Sequence, residues 1–133
     1  MNIVFTPRRA RRNAASADFS VRIRRYRSAM CLEATISAKV QSQLRYLDGD
    51  RIHSEFDPEN KVWYLTRVSP DKIEDGYKVS VRACSKKSDG HSFVSFRIGC
   101  EPDQLTKVLG GREKCEYDLL EASGNRSVFV ERE

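Results

Sequence analysis

Histidine is scarce in this chain and its cysteines are scattered, and both facts narrow the chemistry. Only His53 and His91 occur, and both read as ordinary surface side chains. The four cysteines stand at positions 31, 84, 100 and 115, never closer than 15 residues. There is thus no C-x-x-C half-site for zinc. The glycines do not form the G-x-x-x-x-G-K-[ST] phosphate loop, and no serine or cysteine sits in a nucleophile elbow. The acidic group Asp48, Asp50, Glu55, Asp57 and Glu59 lacks the glycine and terminal glutamate of an EF-hand loop. It reads as a solvated rim. No catalytic residue, metal ligand or cofactor site emerges, and the chain is expected to be non-enzymatic. No apolar run approaches the roughly 18 residues of a membrane span. Residues 1–12 lack the apolar segment of a secretory leader. The expected compartment is the cytoplasm, with reduced thiols. Cys31, Cys84 and Cys115 fall in strand-like stretches and are expected in the sheet or core.

What the chain has is enough apolar residue for one domain and a lopsided charge. Its 133 residues are 39% hydrophobic and 32% charged, which argues against wholesale disorder. The net charge is +5. Residues 1–28 hold eight arginines against the single acid Asp18, a net of +7. The other 105 residues hold 16 basic and 18 acidic side chains, a net of −2. All of the excess positive charge therefore lies in the first fifth of the chain.

The order of elements follows from period and punctuation. Residues 1–17 have no period and many charges, so they read as an extended basic arm. From residue 19 to 28, Val21 and Ile23 alternate with Arg22 and Arg24, as in a half-exposed strand. Residues 31–36 repeat the alternation, with Leu32, Ala34 and Ile36 inward. Ser37 is a good N-cap for a helix reaching about Leu47, with Val40, Leu44 and Leu47 as its apolar stripe. Asp48-Gly49 is expected to end it. Arg51–Phe56 is a third strand and residues 57–60 a turn. Val62–Val68 is apolar on both faces, so it is expected to be covered twice or to dock a partner through Trp63.

After a polar connection at 69–76 the order recurs. Tyr77–Cys84 is a strand with Val79 and Val81 inward, and 85–90 is a hairpin loop. Ser92–Ile98 is a strand with Val94, Phe96 and Ile98 inward. Pro102 suits a first helical turn, Leu105, Val108 and Leu109 form a stripe, and Gly110-Gly111 stops it. Lys114–Leu120 and Ser127–Glu131 are strands around a tight turn. The wording also agrees between halves: Ser20-Val21-Arg22 matches Ser80-Val81-Arg82, and residues 36–47 match 98–109. The expected fold is a β-rich α+β domain of two pseudo-symmetric ββαββ units, 18–68 and 77–133, linked by 69–76. Neither unit buries its sheet alone, so the two are expected to close one barrel-like core.

The passage Ala34-Thr35-Ile36-Ser37-Ala38-Lys39-Val40, then Asp48-Gly49-Asp50-Arg51-Ile52, then Glu55-Phe56-Asp57 and Val62-Trp63-Tyr64-Leu65 resembles the AbrB- and MazE-like swapped-hairpin barrels. In the second half, Gly110-Gly111-Arg112-Glu113 replaces Asp48-Gly49-Asp50. The resemblance implies interlocked hairpins and transcriptional control, with basic residues of the first hairpin on DNA. By position these are Arg22, Arg24, Arg25 and Arg27, and Lys86 and Lys87 in the second unit's loop. The arm and the fusion of two units depart from the family pattern, and the second unit's first hairpin reads as nearly neutral.

The arginines carry the functional expectation. A guanidinium fork fits phosphate bidentately, and each neutralised phosphate releases counterions. Arg8, Arg9, Arg11 and Arg12 suit a groove-lying arm, while Arg22 and Arg24 suit a ridge on the outer sheet face. Tyr26 alone lies among the arginines, which favours duplex DNA over stacked single strands. The plainer alternatives are a solvated tail, or an assembly factor, such as a virus-encoded one, whose arm docks on an acidic protein. The chain is expected to be a monomer or homodimer.

Overall fold

Alternating apolar and polar residues make most of this chain a half-buried sheet, and a computed structural model shows how that sheet curls. The structure describes residues 17–27, 29–69, 71, 76–83 and 92–132. The arm residues 1–16 and the loop holding Lys86, Lys87 and His91 lie outside them, as does Cys84. The strands are β1 (Phe19–Tyr26), β2 (Ala29–Ile36), β3 (Arg51–Asp57), β4 (Val62–Val68), β5 (Tyr77–Lys78), β6 (Ser80–Ala83), β7 (Ser92–Gly99), β8 (Lys114–Ser123) and β9 (Arg126–Glu131). Helix α1 (Ala38–Leu44) follows β2, and α2 (Pro102–Leu109) follows β7.

Among the described residues the nine strands form one antiparallel sheet in the order β5-β3-β4-β9-β8-β1-β2-β7-β6. Its two ends, β5 and β6, are separated in the chain by Val79 alone. The sheet therefore bends round until its ends meet, giving a nearly closed barrel. The sequence predicts one strand over 77–84, and the break has a clear cause. The Val79 N–H donates to the Asp50 carbonyl at 2.9 Å, and the Gly49 N–H donates to the Val79 carbonyl at 3.0 Å. Val81 N–H donates to the Asp48 carboxylate at 3.0 Å. The loop after α1 thus takes the hydrogen bonds that a neighbouring strand would supply, and Val79 itself is fully buried. Gly76, just before β5, lies so close to β3 and β4 that a Cβ there would be 2.9 Å from Val68 Cγ2.

The inward residues meet in an aromatic centre. Phe19 of β1 has ring centroids 5.9 Å from Trp63, 6.5 Å from Phe96, 5.8 Å from Tyr117 and 4.9 Å from Phe129. Those rings come from β4, β7, β8 and β9, so one side chain ties five strands. Val21, Leu32, Ala34, Ile36, Ile52, Leu65 and Val94 fill the space around them. Trp63 is 3% exposed, and β4 is paired on both edges, by β3 and β9. The expectation of a partner docking on Trp63 is therefore corrected: its ring is core. The other face of β4 is half-covered by its neighbours, with the Arg126 guanidinium 4.7 Å above the Tyr64 ring.

Ser37 caps α1 as expected, its hydroxyl accepting from Val40 N–H at 3.3 Å. The helix nevertheless stops at Leu44, three residues early, because Arg45 takes the left-handed conformation at φ 53°. The buried Gln41 amide holds that turn from both sides, donating to the Tyr46 carbonyl at 2.8 Å and accepting from Tyr46 N–H at 3.1 Å. Tyr46 thereby enters the core, while Leu47 is 71% exposed. Arg67 of β4 donates to the Leu44 carbonyl at 2.7 Å and lies 4.3 Å above the Tyr46 ring. Helix α2 obeys its sequence signals, with Pro102 in the first turn and Gly110 at φ 59° closing the end.

Two outcomes test this core. Phe19→Ala should cost about 4 kcal/mol in denaturant unfolding, since four ring contacts collapse into a cavity. Stability should also fall at alkaline pH. Burial pushes the Tyr117 and Tyr46 phenols above their ordinary 10.0, and the Cys100 and Cys115 thiols above 9.0. The folded state then holds protons that the unfolded state has lost, so stability is full at neutral pH and declines from about pH 9 upward. Denaturant midpoints measured from pH 7 to about pH 11 should trace that decline, and Tyr117→Phe should flatten it. A midpoint constant across the range would contradict the burial of these groups.

Candidate nucleic-acid interface

Whatever points inward on a strand leaves its neighbours outside. Because Phe19, Val21 and Ile23 face the core, Ser20, Arg22 and Arg24 face outward, and the exposed guanidiniums of Arg22 and Arg24 lie where the alternation places them. Arg25 has the opposite parity and is exposed near the end of β1. Arg27 sits in the following turn at φ 58°. The four first-hairpin arginines therefore do not share one surface: Arg22 and Arg24 lie on the outer face, and Arg25 and Arg27 at the hairpin end.

The sheet register shows what surrounds the outer pair. Residues directly opposite on antiparallel strands point the same way. Arg22 stands between Lys114 on β8 and Glu33 on β2, and Glu33 stands opposite Arg97 on β7. That row reads Lys114, Arg22, Glu33, Arg97 across four strands. Two residues along, Ser20 opposes Thr35, Thr35 opposes Ser95, and Ser95 opposes Ser80. This second row is four half-buried hydroxyls. Arg24 reaches back to Glu33, with Nη1 3.4 Å from Oε2.

A polar cleft of about 550 Å³ opens over this face. Among the described residues Arg24, Lys78, Arg82 and Arg97 line it with Glu33 as the one carboxylate, and Phe93, Phe96, Ser80 and Ser95 belong to its floor. Sequence reasoning found Arg24 but missed Lys78, Arg82 and Arg97. The signal was present in the alternation of residues 77–84 and 92–99, which carry three cations and no acid. The second unit's first hairpin strands are thus basic and not nearly neutral. What no local pattern shows is that β7 lies beside β2, which brings those cations next to Arg24.

Away from this face, two arginines of the second half are ion-paired among the described residues. Arg112 Nη2 lies 2.6 Å from Glu131, and Arg132 Nη2 2.9 Å from Asp118. His53 lies 3.2 Å from Glu55. No cluster of three or more His, Cys, Asp or Glu side chains suited to a metal occurs among the described residues. Burial keeps the Cys100 and Cys115 thiols in the protonated form, which is the unreactive one. A second cavity, of about 320 Å³, lies between Phe56, Trp63, Tyr77, Ile98 and α2 and is mostly apolar. No helix among the described residues is long and apolar enough to cross a membrane. No protein family, curated protein or solved structure matches this chain.

Proposed function

We propose that this chain is a non-enzymatic nucleic-acid-binding protein, a DNA-binding regulator or accessory factor, that grips phosphates with the outer face of β1, β2, β7 and β6. The observation that carries the reading is that Arg22, Arg24, Arg82, Arg97, Lys78 and Lys114 share this face, with Glu33 and Glu116 as the carboxylates in its rows among the described residues, over a floor of hydroxyls. Arginine forks and hydroxyls are the groups that hold phosphate oxygens. In this reading Arg8, Arg9, Arg11 and Arg12, which precede β1 in the sequence, supply further cations for phosphate. Duplex DNA is the ligand expected from the arm. An acidic protein partner is the reading that replaces it if nucleic acid fails to bind.

We further propose that the two halves are copies of one ββαββ unit, in the manner of the swapped-hairpin barrels. The support is register. The facing pairs Ser20–Thr35, Val21–Ala34 and Arg22–Glu33 return 60 residues later as Ser80–Ser95, Val81–Val94 and Arg82–Phe93. Exchanging β1 with β6, β2 with β7, β3 with β8 and β4 with β9 also maps the strand pairings onto one another, with β5 and β6 taken as one strand. The dyad would run between β2 and β7, through the basic face, with Arg22 and Arg82 as equivalent grips.

Binding to duplex DNA measured at several salt concentrations tests the function. The full chain should bind at low salt, with log K falling steeply against log salt. Removing residues 1–17 deletes four arginines, and each lost phosphate contact should lower the slope by about 0.9. The pairs Arg22→Ala with Arg24→Ala, and Arg82→Ala with Arg97→Ala, should each weaken binding similarly on unrelated sequences, because phosphate contacts carry no base identity. Glu33→Gln should strengthen it, by roughly two- to tenfold at low salt. No binding at low salt would end the nucleic-acid reading, and binding that none of these changes alters would place the basic surface elsewhere, with Lys86 and Lys87 next.

A further inference from the structure

We propose that the β6–β7 side of this cleft takes a single nucleic-acid strand, with one base stacked on the ring of Phe93. The proposal rests on the nucleic-acid reading above and specifies the form of the ligand. Phe93 faces outward, half-buried, directly opposite Arg82 in the register. It lines the cleft with Lys78 and Arg97, while Ser80 and Ser95 lie beside it. An apolar ring set among cations and hydroxyls offers both things an unpaired nucleotide needs: a flat face for its base and charge for its phosphate. A guanidinium beside the ring adds a second planar surface.

Duplex bases are stacked on one another inside the helix and cannot reach a ring seated on a strand without being extruded. An unpaired strand presents its bases freely. The cleft's volume of about 550 Å³ lies within the range of small-ligand pockets, so it admits a base together with its sugar and phosphate. Charge places the occupant on this side. Glu33 lies 3.4 Å from Arg24 and faces Arg97 across β2 and β7, whereas Lys78 and Arg82 stand on β5 and β6, strands that carry no carboxylate. In the first hairpin, Arg22 faces Glu33. In the second, Arg82 faces Phe93. The position that Glu33 holds in the first hairpin is thus held in the second by a ring, which offers stacking where the first offers a carboxylate.

The test compares three fluorescein-labelled probes on the full chain: oligothymidylate of about 15 nucleotides, an abasic strand of equal length, and a hairpin duplex. The abasic strand keeps the phosphates and removes the stack. Oligothymidylate should bind at least about fivefold tighter than the abasic strand. Phe93→Leu keeps apolar bulk but no π-face. It should weaken oligothymidylate about 5- to 100-fold, to the abasic level, and weaken abasic and duplex binding far less. Phe93→Tyr should restore the difference. Equal binding of oligothymidylate and the abasic strand overturns the proposal, as does a Phe93→Leu chain that binds all three probes as before. If the duplex binds and the strand preference is missing, this proposal alone falls. If no probe binds, the nucleic-acid reading falls with it. Thermal melting checks that Phe93→Leu still folds, and if it does not, the abasic comparison on the unaltered chain decides.

Discussion

The rest of the structure depends on the packing of five aromatic rings at the centre of a curled sheet. Phe19 touches Trp63, Phe96, Tyr117 and Phe129, each from a different strand. Aromatic rings bury more area than any other side chain, and edge or tilted contacts add to that burial. Strands as far apart in sequence as β1 and β9 are therefore held to one centre, and a flat sheet could not bring them together. Curling brings the two ends of the sheet to Val79, where the loop after α1 supplies the closing hydrogen bonds. The barrel shape and the buried rings are one fact seen twice.

That packing also decides the outer surface. A strand has a period of two, so a slip of one residue would turn Arg22 and Arg24 inward and Val21 and Ile23 outward. The cost of burying a guanidinium forbids it. The core thus holds the cations at the surface in fixed register, opposite Lys114 on one side and Glu33 on the other. Asp18 adds a pin at the start of β1, its carboxylate accepting the Leu119 N–H at 2.8 Å beside the irregularity in β8. The basic face is a consequence of inward packing and needs no scaffold of its own.

Helix α1 shows how tertiary contacts override a local pattern. The spacing of Val40, Leu44 and Leu47 favours a helix running on to Leu47. The structure ends it at Leu44 because Gln41 closes a turn around Tyr46, and Arg67 takes the Leu44 carbonyl. Burying an aromatic ring outweighs one more aliphatic contact. Arg67 lies 23 residues away, so no window of sequence around the helix contains the reason.

The sequence by itself determined most of the strands, their inward residues, the two helix starts and the order of these elements along the chain. Each of these depends on neighbours within a few positions: alternation in Phe19–Ile23 and Val94–Ile98, the Ser37 cap, and Pro102 with Gly110. The outward direction of Arg22 and Arg24 was legible for the same reason. Only the tertiary structure decided which strands lie side by side. The placing of β7 against β2 and of β8 against β1 collects Arg97, Arg82, Lys78 and Lys114 around arginines already in view. It also turned Trp63, plausible as a docking ring in its own strand, into part of the core. Pairings of this kind join residues 60 to 100 positions apart in the chain, and they are chosen by how the aromatic rings fill one common interior, which no single strand can specify.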